Sequence, residues 1–167
     1  MKRLWSRGMR LAVMTLGFAG LIVAVNAVPG AATNPGGGFT SVPVARGTYT
    51  GQGTLPVKQG FDVVVTLITS PVGASSGWHS HPGGAIAVVG CVVIGCHSEI
   101  TIYRSVGSQC VVEKYTNGQT FIERPGEVVV AISTGADDAQ VYGIFPGVPK
   151  GGSPRIDQDD PGTCPGV

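Results

Sequence analysis

The sequence predicts an all-β domain, a sandwich or barrel of short strands. Three observations carry this. Glycine and proline, 27 and 12 of 167 residues, occur at roughly twice their usual combined frequency and supply turns. Hydrophobic residues make up 43% of the chain, many of them Val and Ile, which a disordered Pro/Gly-rich chain would not carry. Eight short β-branched and aromatic runs between residues 48 and 145 are separated by turn signals, as in all-β folds. No stretch after residue 30 has a helical period, and there is no internal repeat.

Charge narrows the function classes. Charged residues make up 13%, with 11 basic against 10 acidic. A nucleic-acid binder normally shows a basic patch or stripe, and a coiled coil needs abundant Glu, Lys and Leu. Neither pattern is present.

The first element is an export signal. Lys2, Arg3, Arg7 and Arg10 precede an uncharged apolar stretch from Leu11 to Val25, and Val25-Asn26-Ala27 fits a small-x-small cleavage site. This predicts a secretory signal peptide over 1–27. The alternative is an uncleaved membrane anchor, for which the stretch is short against the roughly 20 residues that span a bilayer. Either way the folded part is expected outside the cytoplasm. Removing 1–27 leaves seven basic against ten acidic residues. A mildly acidic exported domain has no electrostatic reason to seek nucleic acid, or a membrane once the signal is cleaved.

Residues 28–47 read as a flexible Gly/Pro-rich lead-in. The barrel is expected over 48–145, with strands at 48–54, 61–70, 84–93, 99–104, 111–115, 120–123, 128–133 and 139–145. In 99–104, Ile100, Ile102 and Arg104 share one face. Residues 128–132 are apolar on both faces and predict a central strand. Asn117-Gly118 predicts a two-residue hairpin between the fifth and sixth of these strands. Residues 146–167 form an irregular tail that holds Cys164.

Four cysteines in an exported chain suggest two disulfides, with three pairings open. Cys110–Cys164 is favoured, because it would tie down the tail. Cys91–Cys96 would then close a short loop or stay reduced. A Cys/His metal site at Cys96-His97 competes, but its spacing matches no zinc module.

The residues that suggest chemistry are Gly77-Trp-His-Ser-His-Pro-Gly83. His79 and His81 are two apart, so an extended strand places both imidazoles on one face. Two of the chain's three histidines sit in this tripeptide. The bland reading is a polar strand end with two solvated histidines. Trp78 should point away from them into the core. His97 reads as a loop residue. Glu113, Lys114, Asp137, Asp138, Asp159 and Asp160 read as solvated. No H-E-x-x-H, P-loop or Rossmann fingerprint is present.

This segment resembles the first motif of the cupins: a glycine, two histidines spaced HxH, an acidic residue, then a glycine. Gly118-Gln-Thr-Phe-Ile-Glu-Arg-Pro125-Gly126-Glu127 stands where a second motif belongs, in degenerate form. Together with the tail, Phe145-Pro-Gly and Ser153-Pro-Arg-Ile-Asp157 with Pro161-Gly-Thr-Cys164, it resembles small exported bacterial cupins of type-2-like pattern over about residues 48–164. The resemblance implies a double-stranded β-helix barrel of the jelly-roll type.

It also implies a metal site that is incomplete here. The acidic position falls near Ala85 or Ile86, the second-motif histidine near Val129 and the asparagine near Ser133. His79 and His81 remain. Glu127 is the candidate third ligand, against a plain surface Glu beside a Pro-Gly turn. Residues 90–98 read as an insertion. The expectation is an exported domain that binds a small molecule, a weakly held divalent metal (Fe, Mn, Ni or Zn), or both. The alternatives are a metal-dependent oxygenase or isomerase, and a structural barrel without metal. A homodimer is compatible with the resemblance.

Overall fold

The structure, a computed structural model, describes residues 43–91 and 93–167. The expected signal peptide, and the lead-in as far as residue 42, lie outside the described residues. Among the described residues ten strands form and no helix does. They are β1 (Thr48–Tyr49), β2 (Asp62–Ser70), β3 (His79–Ser80), β4 (Ala85–Cys91), β5 (Glu99–Val106), β6 (Gln109–Thr116), β7 (Gln119–Glu123), β8 (Val129–Ser133), β9 (Ala139–Val148) and β10 (Ile156–Asp157).

The strands make two five-stranded sheets, ordered β1-β7-β4-β9-β2 and β10-β3-β8-β5-β6. From β2 to β9 the chain changes sheet at every connection except β5–β6. That alternation makes a double-stranded β-helix, the jelly-roll barrel.

Two local readings change. Asn117-Gly118 is not a hairpin, because β6 and β7 lie in different sheets. It is the corner where the chain crosses over: Gly118 donates to the Val89 carbonyl at 2.9 Å and accepts from Thr48 at 3.0 Å. Asn117 does not take the positive φ that a type I′ turn needs. The two-residue hairpin lies at Gly107-Ser108, joining Val106 to Gln109. There φ is +60° at Gly107 and not positive at Ser108, which matches a II′ turn. The expected first strand is also shorter, ending at Tyr49.

The interior core is packed from both sheets: Ala87, Val89, Ile100, Ile102, Phe121, Val129, Ala139 and Val141. Ile102 and Val129 are fully enclosed, so truncating Ile102 to Ala should cost about 2–5 kcal/mol. β8 lies between β3 and β5 and is covered on both faces. Val129 enters the interior, while Val130 packs on the outside with Trp78 and Cys164. This is why residues 128–132 are apolar on both sides.

The tail supplies that outer cover. β10 pairs antiparallel with β3, Ile156 opposite Ser80 and Asp157 opposite His79. Beyond it, Cys164 is bonded to Cys110 in β6, at the opposite edge of the same sheet. Cys91 and Cys96 form the second disulfide and close the loop after β4. Ser98, fully buried, donates to the Gly90 carbonyl at 2.9 Å and holds the base of that insertion.

Candidate metal centre

The two histidines sit at the inner edge of β3. Both are buried, and their rings lie 4.9 Å apart and nearly perpendicular. The chain then turns sharply through Pro82, Gly83 and Gly84. Gly84 takes φ +79°, and a Cβ on Gly83 would collide with the Pro146 carbonyl. Only glycines let the strand end this close to β9. The His81 carbonyl accepts from Gly84 at 3.2 Å and from Gly126 at 2.9 Å. The Pro125-Gly126 turn therefore braces the backbone of His81.

Each imidazole is oriented by its Nδ1. That of His79 lies 2.8 Å from the Gly77 carbonyl, and that of His81 lies 2.6 Å from the Pro154 carbonyl. A carbonyl oxygen only accepts, so each Nδ1 carries the hydrogen. In the neutral ring the Nε2 lone pair is then free. This is how metal-ligating histidines are usually fixed. Burial holds His79 below its ordinary value of 6.5; the Gly77 carbonyl and Glu123 oppose this without overcoming it. His79 is thus neutral at neutral pH, the form that ligates a metal.

The third group is Glu123. β7 runs antiparallel to β4 with Glu123 opposite Ala85 and Phe121 opposite Ala87. Alternation turns Phe121 and Glu123 inward, and the two alanines leave room for them. Glu123 Oε2 lies 3.0 Å from His81 Nε2, with both side chains almost wholly enclosed. Donor atoms of His79, His81 and Glu123 all lie within 4.8 Å of one another. These three side chains form a group able to bind a metal ion. The acidic position expected near Ala85 is filled from directly across the ladder.

The donor chemistry fits a cation. His81 Nδ1 already donates to Pro154, so the short contact between Nε2 and the carboxylate needs a proton between them. A divalent ion can take that proton's place, giving two imidazoles and one carboxylate, a set that zinc and non-haem iron both accept.

Glu127 is not brought to the histidines. Its carboxylate accepts from Arg104 Nη1 at 2.6 Å and from the Arg124 backbone amide at 2.9 Å. Arg104 lies on the inner face of β5, buried, and also donates to Glu113 at 2.7 Å and to the Ile122 carbonyl at 3.0 Å. Burial works against the Arg104 charge, but Glu113 and Glu127 overcome this and raise its pKa. A buried guanidinium requires such partners, so Glu127 and Glu113 are structural counter-ions. Glu113 keeps 43% of its side chain exposed, as the sequence suggests, while also pairing with Arg104.

The other candidates also fall away from the centre. Val129 lies opposite His79 in the core, and Ser133 bonds the Ser70 carbonyl at 3.3 Å. His97 is in the exposed loop after Cys96, 3.6 Å from the Asp137 carboxylate. Trp78 faces outward into the cluster with Val130 and Cys164. Asp137 and Asp138 accept backbone amides of His97 and Val72 at 2.7 and 3.0 Å.

The metal group opens on a cavity of about 600 Å³. Ile100, Phe121, Val141 and Phe145 line it, and among the described residues Arg155 is the one Lys or Arg in its wall. The Arg155 guanidinium donates to the Ser76 carbonyl at 2.8 Å and to Asp157 at 2.7 Å.

No family model matches the chain, and no curated protein matches it. Among solved structures it is similar to a conserved protein with a double-stranded β-helix domain from Klebsiella pneumoniae, at 23% identity and TM-score 0.41, covering 56% of this chain and 70% of that one. It is similar to a cupin-like protein from Thermotoga maritima at 20% identity and TM-score 0.43, covering 64% and 74%. It is also similar to an oxalate oxidase solved with glycolate, at 18% identity and TM-score 0.43; the match covers 57% of this chain but only 45% of that chain.

Proposed function

We propose that this chain is an exported cupin-type domain that holds a divalent metal through His79, His81 and Glu123 and binds a small anionic molecule in the adjoining cavity. The convergence of three buried donors, with both Nδ1 atoms tied to carbonyls, carries this reading. Three protein ligands leave coordination positions open towards the cavity. A divalent ion there adds two positive charges to one negative Glu123, while Arg155 is balanced by Asp157, so one positive charge is left over. Apolar walls screen that excess poorly. A ligand with a carboxylate and an apolar body suits both the charge and the phenylalanines. The two disulfides support an oxidising, extracytoplasmic location.

The test is the metal content of residues 28–167, exported to an oxidising compartment and purified without chelator. Near one equivalent of iron, manganese, nickel or zinc, absent from His79→Ala/His81→Ala, supports the site. A folded protein that takes up no metal even after soaking overturns it.

The two-histidine, one-carboxylate set also favours a second reading, a metal-dependent oxygenase or isomerase. A bound metal would supply Lewis acidity or oxygen activation there. This chain's residues would orient the substrate through Arg155, enclose it with Phe121 and Phe145, and move a proton at Glu123. Metal-dependent turnover of a small carboxylate would separate enzyme from binding domain. A third, structural reading rests on β2, an edge strand with Val63, Val65 and Leu67 exposed. A homodimer there would make Val65→Lys monomeric in sedimentation, with metal content unchanged.

A further inference from the structure

The C-terminal tail touches the centre at one atom, and that atom orients a ligand. We infer that the tail is a positioning element of the metal centre, so that the Cys110–Cys164 crosslink sets metal affinity from across the sheet. This rests on the metal-binding reading above.

The chain of contacts is continuous. The Pro154 carbonyl accepts from His81 Nδ1 at 2.6 Å. Pro154 is held because β10 follows it and pairs with β3 beside both histidines. The Gln158 amide donates to the Trp78 carbonyl at 3.0 Å, and its side chain donates to the Ser80 hydroxyl at 3.0 Å. Six residues on, Cys164 is buried against Trp78 and Val130 and bonded to Cys110.

Among the described residues the tail's other ties are hydrogen bonds, from Gly151 to Asp62, from Arg155 to Ser76 and from Gln158 to Trp78 and Ser80. β10 has two residues, is exposed and forms the edge of its sheet. Two ladder positions do not hold a strand on their own. The crosslink and the small apolar cluster around Cys164 supply the rest. If the tail leaves, His81 loses the acceptor that fixes its tautomer. Its Nε2 would then no longer be committed to the Glu123 side. Loss of such an outer partner typically weakens metal binding ten- to a hundred-fold.

His79 differs in a way that sharpens the point. Its Nδ1 partner, the Gly77 carbonyl, lies two residues away on its own segment and is not itself part of the tail. The tail therefore supplies the Nδ1 partner of one histidine and not of the other.

The test compares two crosslink removals by cobalt(II) titration of the full chain. Cys110→Ser/Cys164→Ser should bind cobalt(II) at least about ten-fold more weakly than the unaltered protein. Cys91→Ser/Cys96→Ser removes a crosslink at the far end of β4 and should stay within about two-fold. Both are assayed at a temperature where near-ultraviolet circular dichroism shows them folded. If the first variant does not fold, Ile156→Pro/Gln158→Ala, which loosens the tail with the crosslink intact, replaces it under the same criterion. Nitrogen-15 NMR of the metal-free proteins gives the second readout. His81 should show one Nδ1–H tautomer in the unaltered protein and a mixture in the loosened one, with His79 unchanged. Equal cobalt affinity in both double variants, or an unchanged His81 tautomer, overturns the inference. Absence of cobalt binding in the unaltered protein, with the tautomer change present, would instead remove the metal reading and leave the tail's role standing.

Discussion

The barrel buries two charged clusters, and they are built on opposite principles. Around Arg104, a cation is closed in by Glu113, Glu127 and the Ile122 carbonyl. Each of its three nitrogens has a hydrogen-bond partner. Around His79, His81 and Glu123, donors converge on a common point beside a cavity, and the outer nitrogens are already spent on carbonyls. The first cluster satisfies itself. The second is organised for something that is not a side chain. Glu127 and Glu123 are four residues apart on one segment, yet they serve these different ends.

The largest expected effect separates them by stability. Glu127→Ala leaves Arg104 short of a counter-ion and should cost about 3–5 kcal/mol in chemical denaturation. Metal affinity in the folded variant should be nearly unchanged. A drop in metal affinity with little loss of stability would merge the two clusters.

Glu123→Gln should do the converse. Metal affinity falls about 100-fold or more, beyond the loss typical of an outer partner. Stability changes by no more than about 1 kcal/mol, since the amide still reaches His81. Isothermal titration and urea unfolding read the two quantities side by side.

Acidification sharpens the contrast further. Burial lowers the pKa of His79 from 6.5. Protonation is then costlier folded than unfolded, so this stability is present above about pH 6.5 and is lost as pH falls through the lower folded value. Metal release should follow the same direction. His79→Asn should flatten the stability profile below about pH 6.5 relative to the unaltered chain. An unflattened profile would assign the dependence to other groups. The Arg104 cluster runs on carboxylates: Glu113, despite a desolvation that raises it, is held below its ordinary value by Arg104 and Tyr115. Its contribution is lost only at more acidic pH.

The smallest effect is expected at His97. Its ring is exposed in the loop after Cys96, so His97→Ala should change neither stability nor metal affinity by more than about 0.5 kcal/mol. A larger change in metal affinity would place the third histidine in the site.

Much of this was legible in the chain. Turn signals and β-branched runs marked eight strands, and the HxH spacing marked two of the three clustered donors. The tail's cysteine pointed to its partner. The third member of that group was not legible, because it depends on register. Glu123 meets the histidines only because β7 pairs with β4 with Glu123 opposite Ala85, and no local pattern states that pairing. The same blindness made Asn117-Gly118 look like a hairpin when it is a corner between sheets. One clue was present but unused. Arg104 shares the face of Ile100 and Ile102, so it had to be buried, and a buried arginine needs acids. Glu113, opposite Ile102 in the ladder, and Glu127 were the available ones.

The central claim is that Glu123, and not Glu127, completes a metal centre with His79 and His81. Metal content of Glu123→Gln and Glu127→Gln, purified in parallel without chelator, tests it most directly. The account predicts near one equivalent in Glu127→Gln and almost none in Glu123→Gln. The reverse pattern, or equal occupancy in both, would contradict it.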